Sequence, residues 1–166
     1  MKTNDLSGTQ KLTISALLMA LYVVVVFLTQ SFSFGAYQVR IATALYALAF
    51  IYPFLILPLG LANCLANTLI GGLGIWDSIG GLIVGIATTA LIVLLKKLKA
   101  PAWTCAIPVT FIPALGVPIY LSQLLGLPYS MLAISLLVGQ AISGVCGAAF
   151  VIVLQKTALK SGAYAH

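Results

Sequence analysis

Apolar runs long enough to cross a membrane fill most of this chain. Of its 166 residues, 62% are hydrophobic and only 6% are Lys, Arg, Asp or Glu, whereas a typical soluble domain has about 25% charged residues. The hydrocarbon core of a bilayer is about 30 Å thick, so a helix needs about 20 apolar residues to span it. We therefore expect an all-α integral membrane protein, a compact bundle that forms a single transmembrane domain over residues 1–166.

Breaks in the apolar pattern divide the chain into six predicted transmembrane helices. Pro53 ends one run, and the turn from Gly71 to Gly74 ends another. Pro108, Pro113 and Pro118 interrupt the fifth run, and they fit either an ordinary proline-tolerant span or a broken helix that lines a cavity. The predicted spans run from about Leu12 to Leu28, Val39 to Tyr52, Phe54 to Leu69, Ile79 to Leu95, Trp103 to Leu124 and Met131 to Leu154.

The net charge of +6 is distributed as in a membrane protein rather than in a nucleic-acid-binding protein. Cytoplasmic loops of membrane proteins carry an excess of Lys and Arg, whereas nucleic-acid binding favours a basic face with interleaved aromatic residues. Six spans with both termini in the cytoplasm place seven of the eight basic residues inside, with Arg40 as the exception. These seven are Lys2, Lys11, Lys96, Lys97, Lys99, Lys156 and Lys160. We expect a lipid bilayer around the chain and no nucleic-acid partner.

The residue types that enzymes and metal sites require are missing from the predicted spans. The sequence has no Glu, its only histidine is His166 at the end of the chain, and Asp77 is the only acidic residue within the bundle. No cluster of His, Cys and Asp has the spacing of metal ligands, and no Ser–His pair suits nucleophilic catalysis. The turn Gly71–Gly74 lacks the Lys-Ser/Thr ending of a phosphate-binding loop. We predict a binding protein with no catalytic residues, no cofactor and no metal.

Polar and aromatic residues concentrate at one predicted end of the bundle. In the six-span topology, Arg40 and Asp77 both fall near the outer surface, and a charge retained in a membrane usually faces a cavity or a partner. One interpretation is structural, with Arg40 paired to Asp77 and the amides bridging helices; the other is an outward-opening pocket for a small, planar, polar solute. The concentration at one end favours the pocket. The other members are Tyr37, Gln38, Asn63, Asn67 and Trp76 at similar depth and Gln140 about halfway along the sixth span, with Asn63 and Asn67 on one helix face.

Small residues spaced by four form stripes that let helices approach closely in lipid. The stripes are Ala16 and Ala20 in the first span, Gly81 and Gly85 in the fourth, and Gly139, Ser143 and Gly147 in the sixth. Each stripe can pack within the bundle or dock another membrane subunit, and the sequence pattern leaves both open.

Two sequence motifs resemble a known family of membrane proteins. The run from Ser33 to Ile41, SFGAYQVRI, followed by Ala44 and Leu45, and the later run from Gly71 to Asp77, GGLGIWD, resemble the queuosine-precursor (QueT-type) family. These are substrate-binding S components of energy-coupling factor (ECF) transporters. The resemblance covers most of the chain, from the first helix to the fourth, and is weaker in the last two.

The resemblance implies a function and a set of partners. An S component captures its substrate from the outer side of a prokaryotic plasma membrane and associates with a transmembrane coupling subunit and two ATPase subunits. The implied substrate is a queuosine precursor or a related 7-deazaguanine. The alternatives are an S component for another vitamin-like heterocycle, a small oligomeric channel or secondary transporter, and a purely structural membrane subunit.

The resemblance also implies roles for the polar residues. The coupling subunit would dock on Ala16 and Ala20, Asp77 would accept from an amino group of the substrate, and Trp76 or Tyr37 would stack on it. This sequence departs from the family at Thr43, where the family commonly carries a glutamate in the segment Ile-Ser-Glu-Ala-Leu, so the preferred solute is left open. The implied substrate-binding residues are Tyr37, Gln38, Arg40, Asn63, Asn67, Trp76, Asp77 and Gln140.

Overall fold

The structure, a computed structural model, describes residues 6–33, 39–71 and 73–160, and every regular element in these ranges is a helix. The α-helices are α1 (Gly8–Leu28), α2 (Gln30–Ser33), α3 (Ile56–Ala66), α4 (Ile75–Lys97), α5 (Ala106–Leu125) and α6 (Tyr129–Lys160). The segments Ile41–Phe50, Pro53–Leu55 and Ala102–Cys105 are 3₁₀-helical, and Asn67–Gly71 is π-helical. The predicted all-α membrane bundle is confirmed, while the cytoplasmic location of both termini stays a prediction.

Five helical segments are long and apolar enough to cross a membrane, and they match the predicted first, third, fourth, fifth and sixth spans. The predicted second span differs, because only Ile41–Phe50 is helical and its ten residues form a 3₁₀ helix. A 3₁₀ helix rises about 2.0 Å per residue, so this segment covers about 20 Å and is shorter than the hydrocarbon core. Seven of its ten residues are buried, so protein rather than lipid surrounds most of it.

The Ile41–Phe50 helix is packed between the other helices of the bundle. It packs against α1, α3, α4, α5 and α6. Helix α6 approaches it closely at Gly147, where an added Cβ would lie 2.7 Å from the carbonyl oxygen of Ala44. Gly139 and Ser143 are also buried, so the small-residue stripe of α6 packs inside the bundle.

The stripe on α4 also faces the interior. A Cβ on Gly85 would lie 2.9 Å from the Cα of Gly60 on α3, and a Cβ on Gly81 would lie 2.6 Å from Asn67 Nδ2. Small residues thus let α3 and α4 meet backbone to backbone. Of the three predicted stripes, the one on α1 alone faces outward, since Ala16 and Ala20 are both exposed.

Helix α5 is continuous despite its prolines. Pro113 and Pro118 lie inside it, and each lacks the backbone N–H that would bond the carbonyl four residues earlier. Pro113 lines the pocket described below, whereas Pro108 and Pro118 do not. Gly126 ends the helix with φ of 66°, a left-handed conformation that glycine adopts without steric cost.

Candidate functional site

A polar pocket lies at the end of the bundle where the start of the Ile41–Phe50 helix, the end of α3 and the start of α4 meet α5 and α6. The empty space inside it, counted to its open mouth, is about 470 Å³. In this arrangement it has room for only a few water molecules, so a larger ligand requires its walls to move. The lining residues are Arg40, Thr43, Tyr46, Asn63, Leu73, Asp77, Val84, Pro113, Val117, Tyr120, Leu121, Leu136 and Gln140.

The 3₁₀ geometry of the Ile41–Phe50 helix decides which of its residues reach the pocket. In a 3₁₀ helix, residues three apart lie above one another on the same face. Arg40 is the N-cap of this helix, and Thr43 and Tyr46 follow at intervals of three. All three line the pocket.

Two asparagines on α3 and its π-helical extension hold the arginine. Arg40 Nη1 donates to Asn63 Oδ1 at 2.9 Å, and Arg40 Nη2 donates to Asn67 Oδ1 at 2.5 Å. Asn63 Nδ2 in turn donates to the carbonyl oxygen of Gly81 at 2.9 Å. The spacing of four residues therefore brings both amides to one guanidinium group, and both amides are fixed by bonds on each side.

Asn67 connects Arg40 to Asp77. Its Nδ2 donates to the backbone oxygen of Asp77 at 2.9 Å and to Asp77 Oδ1 at 3.2 Å. The structural interpretation of the sequence paired these two charges with each other, and in the structure Asn67 joins them through its amide. Asp77 is 5% exposed, and its Oδ2 is buried without a hydrogen-bond partner among the described residues. Such buried acceptors are uncommon and call for an explanation.

The opposite wall of the pocket is neutral. Thr43 Oγ1 lies 2.7 Å from the carbonyl oxygen of Arg40 and 2.8 Å from Gln140 Oε1. Ser143 on α6 donates to the same Arg40 carbonyl at 2.9 Å. These bonds tie the start of the 3₁₀ helix to α6 and fix the backbone from which the Arg40 side chain extends.

Tyr120 on α5 forms the part of the pocket wall that packs on α4. A Cβ on Gly80 would lie 2.4–2.8 Å from three ring atoms of Tyr120, so the ring of Tyr120 packs directly on the bare backbone of that residue. Asp77 lies one helical turn before Gly80, and the Tyr120 hydroxyl approaches its carboxylate without the geometry of a hydrogen bond. Gly80 thus provides the space that lets an aromatic ring reach the acidic wall.

The structure brings most of the predicted binding residues together. Arg40, Asn63, Asp77 and Gln140 line the pocket, and Asn67 lies behind it in contact with two of them. Trp76 does not line the pocket and is 66% exposed. Tyr37 and Gln38 lie outside the described residues.

Sequence reasoning missed the two pocket tyrosines. Tyr46 was detectable only from a period of three residues starting at Arg40, because a period of 3.6 does not group it with Arg40 and Thr43. Tyr120 lies two residues after Pro118 in an apolar run. A glycine opposite it on another helix is the only sign of its role, and sequence alone does not show which helices are neighbours.

The model of the family described as QueT transporter matches residues 12–156. No curated protein and no solved structure matches.

Proposed function

This chain belongs to the QueT transporter family, and we propose that it is the substrate-binding subunit of an ECF-type importer for a queuosine precursor or related 7-deazaguanine. Family membership makes the chain a component of a transporter, and its five apolar spans make it a multi-pass membrane protein. The identity of the substrate, the ECF partners and a location in a prokaryotic plasma membrane are parts of the proposal.

The buried Oδ2 of Asp77 is the observation that carries the proposal. It is a charged acceptor in the wall of a pocket, it has no hydrogen-bond partner among the described residues, and it is held in place by Asn67. A buried acceptor left unsatisfied costs about 1–3 kcal/mol. A ligand that brings an N–H group to this oxygen recovers that free energy, and so the pocket favours binding.

The remaining walls match the chemistry of a 7-deazaguanine. Such a base carries adjacent N–H donors and a carbonyl acceptor along one edge, and it has a flat aromatic face. Asp77 accepts hydrogen bonds from the N–H donors of the base, while Arg40 and Gln140 bind its other polar groups. We assign the stacking role to Tyr120, which lines the pocket, rather than to Trp76, which is 66% exposed.

The chain itself needs partners to move a solute inward. The Ala16–Ala20 face of α1 is exposed, and small residues favour close helix contacts in lipid. We assign this face to the transmembrane coupling subunit, which links the bundle to two ATPase subunits. This docking surface lies apart from the pocket-lining residues, none of which belongs to α1.

A channel or secondary transporter is less well supported. Deeper along α4, the buried hydroxyls bond to their own helix, Thr88 to the oxygen of Val84 at 2.7 Å and Thr89 to that of Gly85 at 2.8 Å. The polar wall therefore does not continue along α4 as a path across the bundle. One observation favours an S component for another heterocycle. Thr43 lines the pocket at a position where the family commonly carries a carboxylate.

Equilibrium binding to the purified, detergent-solubilised protein tests the capture role. The panel is queuine, queuosine, 7-cyano-7-deazaguanine, 7-aminomethyl-7-deazaguanine, riboflavin and thiamine. Tight binding of a deazaguanine supports the proposal. Selective binding of riboflavin or thiamine would assign the chain to another substrate class. Failure to bind any compound in the panel would contradict the capture role.

Reconstitution tests the transport role separately. Proteoliposomes containing the chain, a coupling subunit and two ATPase subunits should accumulate the bound base only when ATP is present. Uptake by the chain alone would contradict the proposal and favour a secondary transporter.

A further inference from the structure

The charges around the pocket balance. Arg40 and Asp77 are the only charged residues among those that line it. The neighbouring stretches outside the described ranges, residues 34–38 and Gly72, contain no charged residue in the sequence. The whole chain has two acidic residues, and the other is Asp5 near the start. No second carboxylate is therefore available to the pocket from within the bundle.

The two charges also form one connected unit. Asn67 accepts from the guanidinium group of Arg40 and donates to the carboxylate of Asp77, so each charge is compensated through the same buried amide, which is 1% exposed. Because the unit is neutral as a whole, a neutral ligand leaves the pocket neutral. A ligand with an ammonium or a carboxylate group brings a charge that no residue in the lining offsets, and burying such a charge is strongly unfavourable.

Thr43 occupies the position where a second charge would alter this balance. Its side chain is 2% exposed, it lines the pocket, and its hydroxyl lies 2.8 Å from Gln140 Oε1. A carboxylate at this position would give the lining a net negative charge and a counterion for a cationic substituent.

We propose that this pocket selects uncharged heterocycles over cationic ones and that Thr43 determines the preference. The identity of the heterocycle rests on the proposed function, whereas the charge preference rests on the lining residues. Within the 7-deazaguanines, the protein prefers the base with a nitrile substituent to the same base with a protonated aminomethyl group.

A matched pair of ligands tests the inference on the unmodified protein. We expect 7-cyano-7-deazaguanine to bind at least about tenfold more tightly than 7-aminomethyl-7-deazaguanine at pH 7, measured by isothermal titration calorimetry in detergent. Equal affinity, or tighter binding of the aminomethyl base, overturns the inference and leaves the proposed function standing. Binding of neither base overturns the proposed function, and the inference falls with it.

Two substitutions of similar size then test the role of Thr43. Thr43→Glu should shift the ratio of the two dissociation constants at least about tenfold toward the cationic base, whereas Thr43→Gln, which adds similar bulk without charge, should keep the preference of the unmodified protein. A purely steric role for Thr43 predicts the same ratio in both variants, and that result would overturn its assignment. The ratio of the two dissociation constants in the unmodified protein tests the preference for uncharged heterocycles, and this test does not depend on whether either variant folds.

Discussion

The substitution Gly80→Ala tests how the aromatic wall of the pocket is positioned. An added Cβ would lie 2.4 Å from Tyr120 Cε1, 2.6 Å from Cζ and 2.8 Å from Cδ1, whereas ordinary contacts are 3.4–4 Å. The ring must therefore move by at least about 1 Å. Since Tyr120 is partly exposed, we expect the ring to swing away from α4 and from Asp77.

Gly80→Ala should weaken binding as well as change stability, and the two effects are measured separately. Replacing Gly by Ala in a helix favours folding by about 1 kcal/mol, and overpacking costs about 1–3 kcal/mol, so the net loss of stability is about 0–2 kcal/mol. Loss of a well-placed aromatic contact costs about 0.5–1.5 kcal/mol. At about 1.4 kcal/mol per tenfold change, the dissociation constant for the base should rise about 2- to 12-fold.

A double-mutant cycle distinguishes this mechanism from a general distortion. Gly80→Ala should weaken binding in the unmodified protein but have little further effect in a Tyr120→Leu background, where no ring occupies the space. Gly60→Ala is the control, because its Cβ would lie 2.6 Å from the side chain of Ile86, which does not line the pocket. Additive effects of Gly80→Ala and Tyr120→Leu, or an unchanged affinity in Gly80→Ala, would refute the reasoning.

Three further predictions concern the network, the docking face and the core. Asn67→Leu removes hydrogen bonds to Arg40 and Asp77 at about 1–3 kcal/mol for each group left unsatisfied, so the thermal unfolding midpoint in detergent should fall; an unchanged midpoint would show that the bridge is not needed for stability. Ala16→Trp should leave ligand affinity unchanged but abolish ATP-dependent uptake in reconstituted transporters, because its side chain is exposed; normal uptake would exclude this face as the docking surface. Gly85→Leu should lower the unfolding midpoint strongly, since even a Cβ there meets backbone at 2.9 Å, and tolerance of leucine would contradict the close contact of α3 with α4.

Hydrophobic patterning predicted the helical bundle because lipid leaves a chain few alternatives to helices. It did not predict the short second helix. The apolar run from Val39 to Tyr52 has the composition of a span, and its sequence does not indicate a 3₁₀ helix that is buried among five other helices. The tertiary packing that surrounds this helix includes a close approach of α6 at Gly147, which the sequence of the segment does not show.

Part of the site was accessible from the sequence because charges and amides are rare in a membrane. Arg40 and Asp77 stand out for this reason, and the spacing of Asn63 and Asn67 predicts the shared face on which both hold Arg40. Trp76 was grouped with them by its depth and as an aromatic residue that would stack on the substrate. Neighbouring residues on an α-helix differ by about 100° in direction, so when Asp77 faces the pocket, Trp76 faces away from it.

The most direct test of the central claim compares three proteins binding one neutral 7-deazaguanine by calorimetry: the unmodified chain, Asp77→Asn and Ser78→Ala. A hydrogen bond to a charged group contributes about 1.5–3 kcal/mol, so Asp77→Asn should weaken binding about 10- to 100-fold. Ser78, whose hydroxyl contacts Thr68 outside the pocket, should be replaceable without effect. Equal affinity of Asp77→Asn and the unmodified protein would contradict the claim that the Arg40–Asp77 pocket captures the substrate.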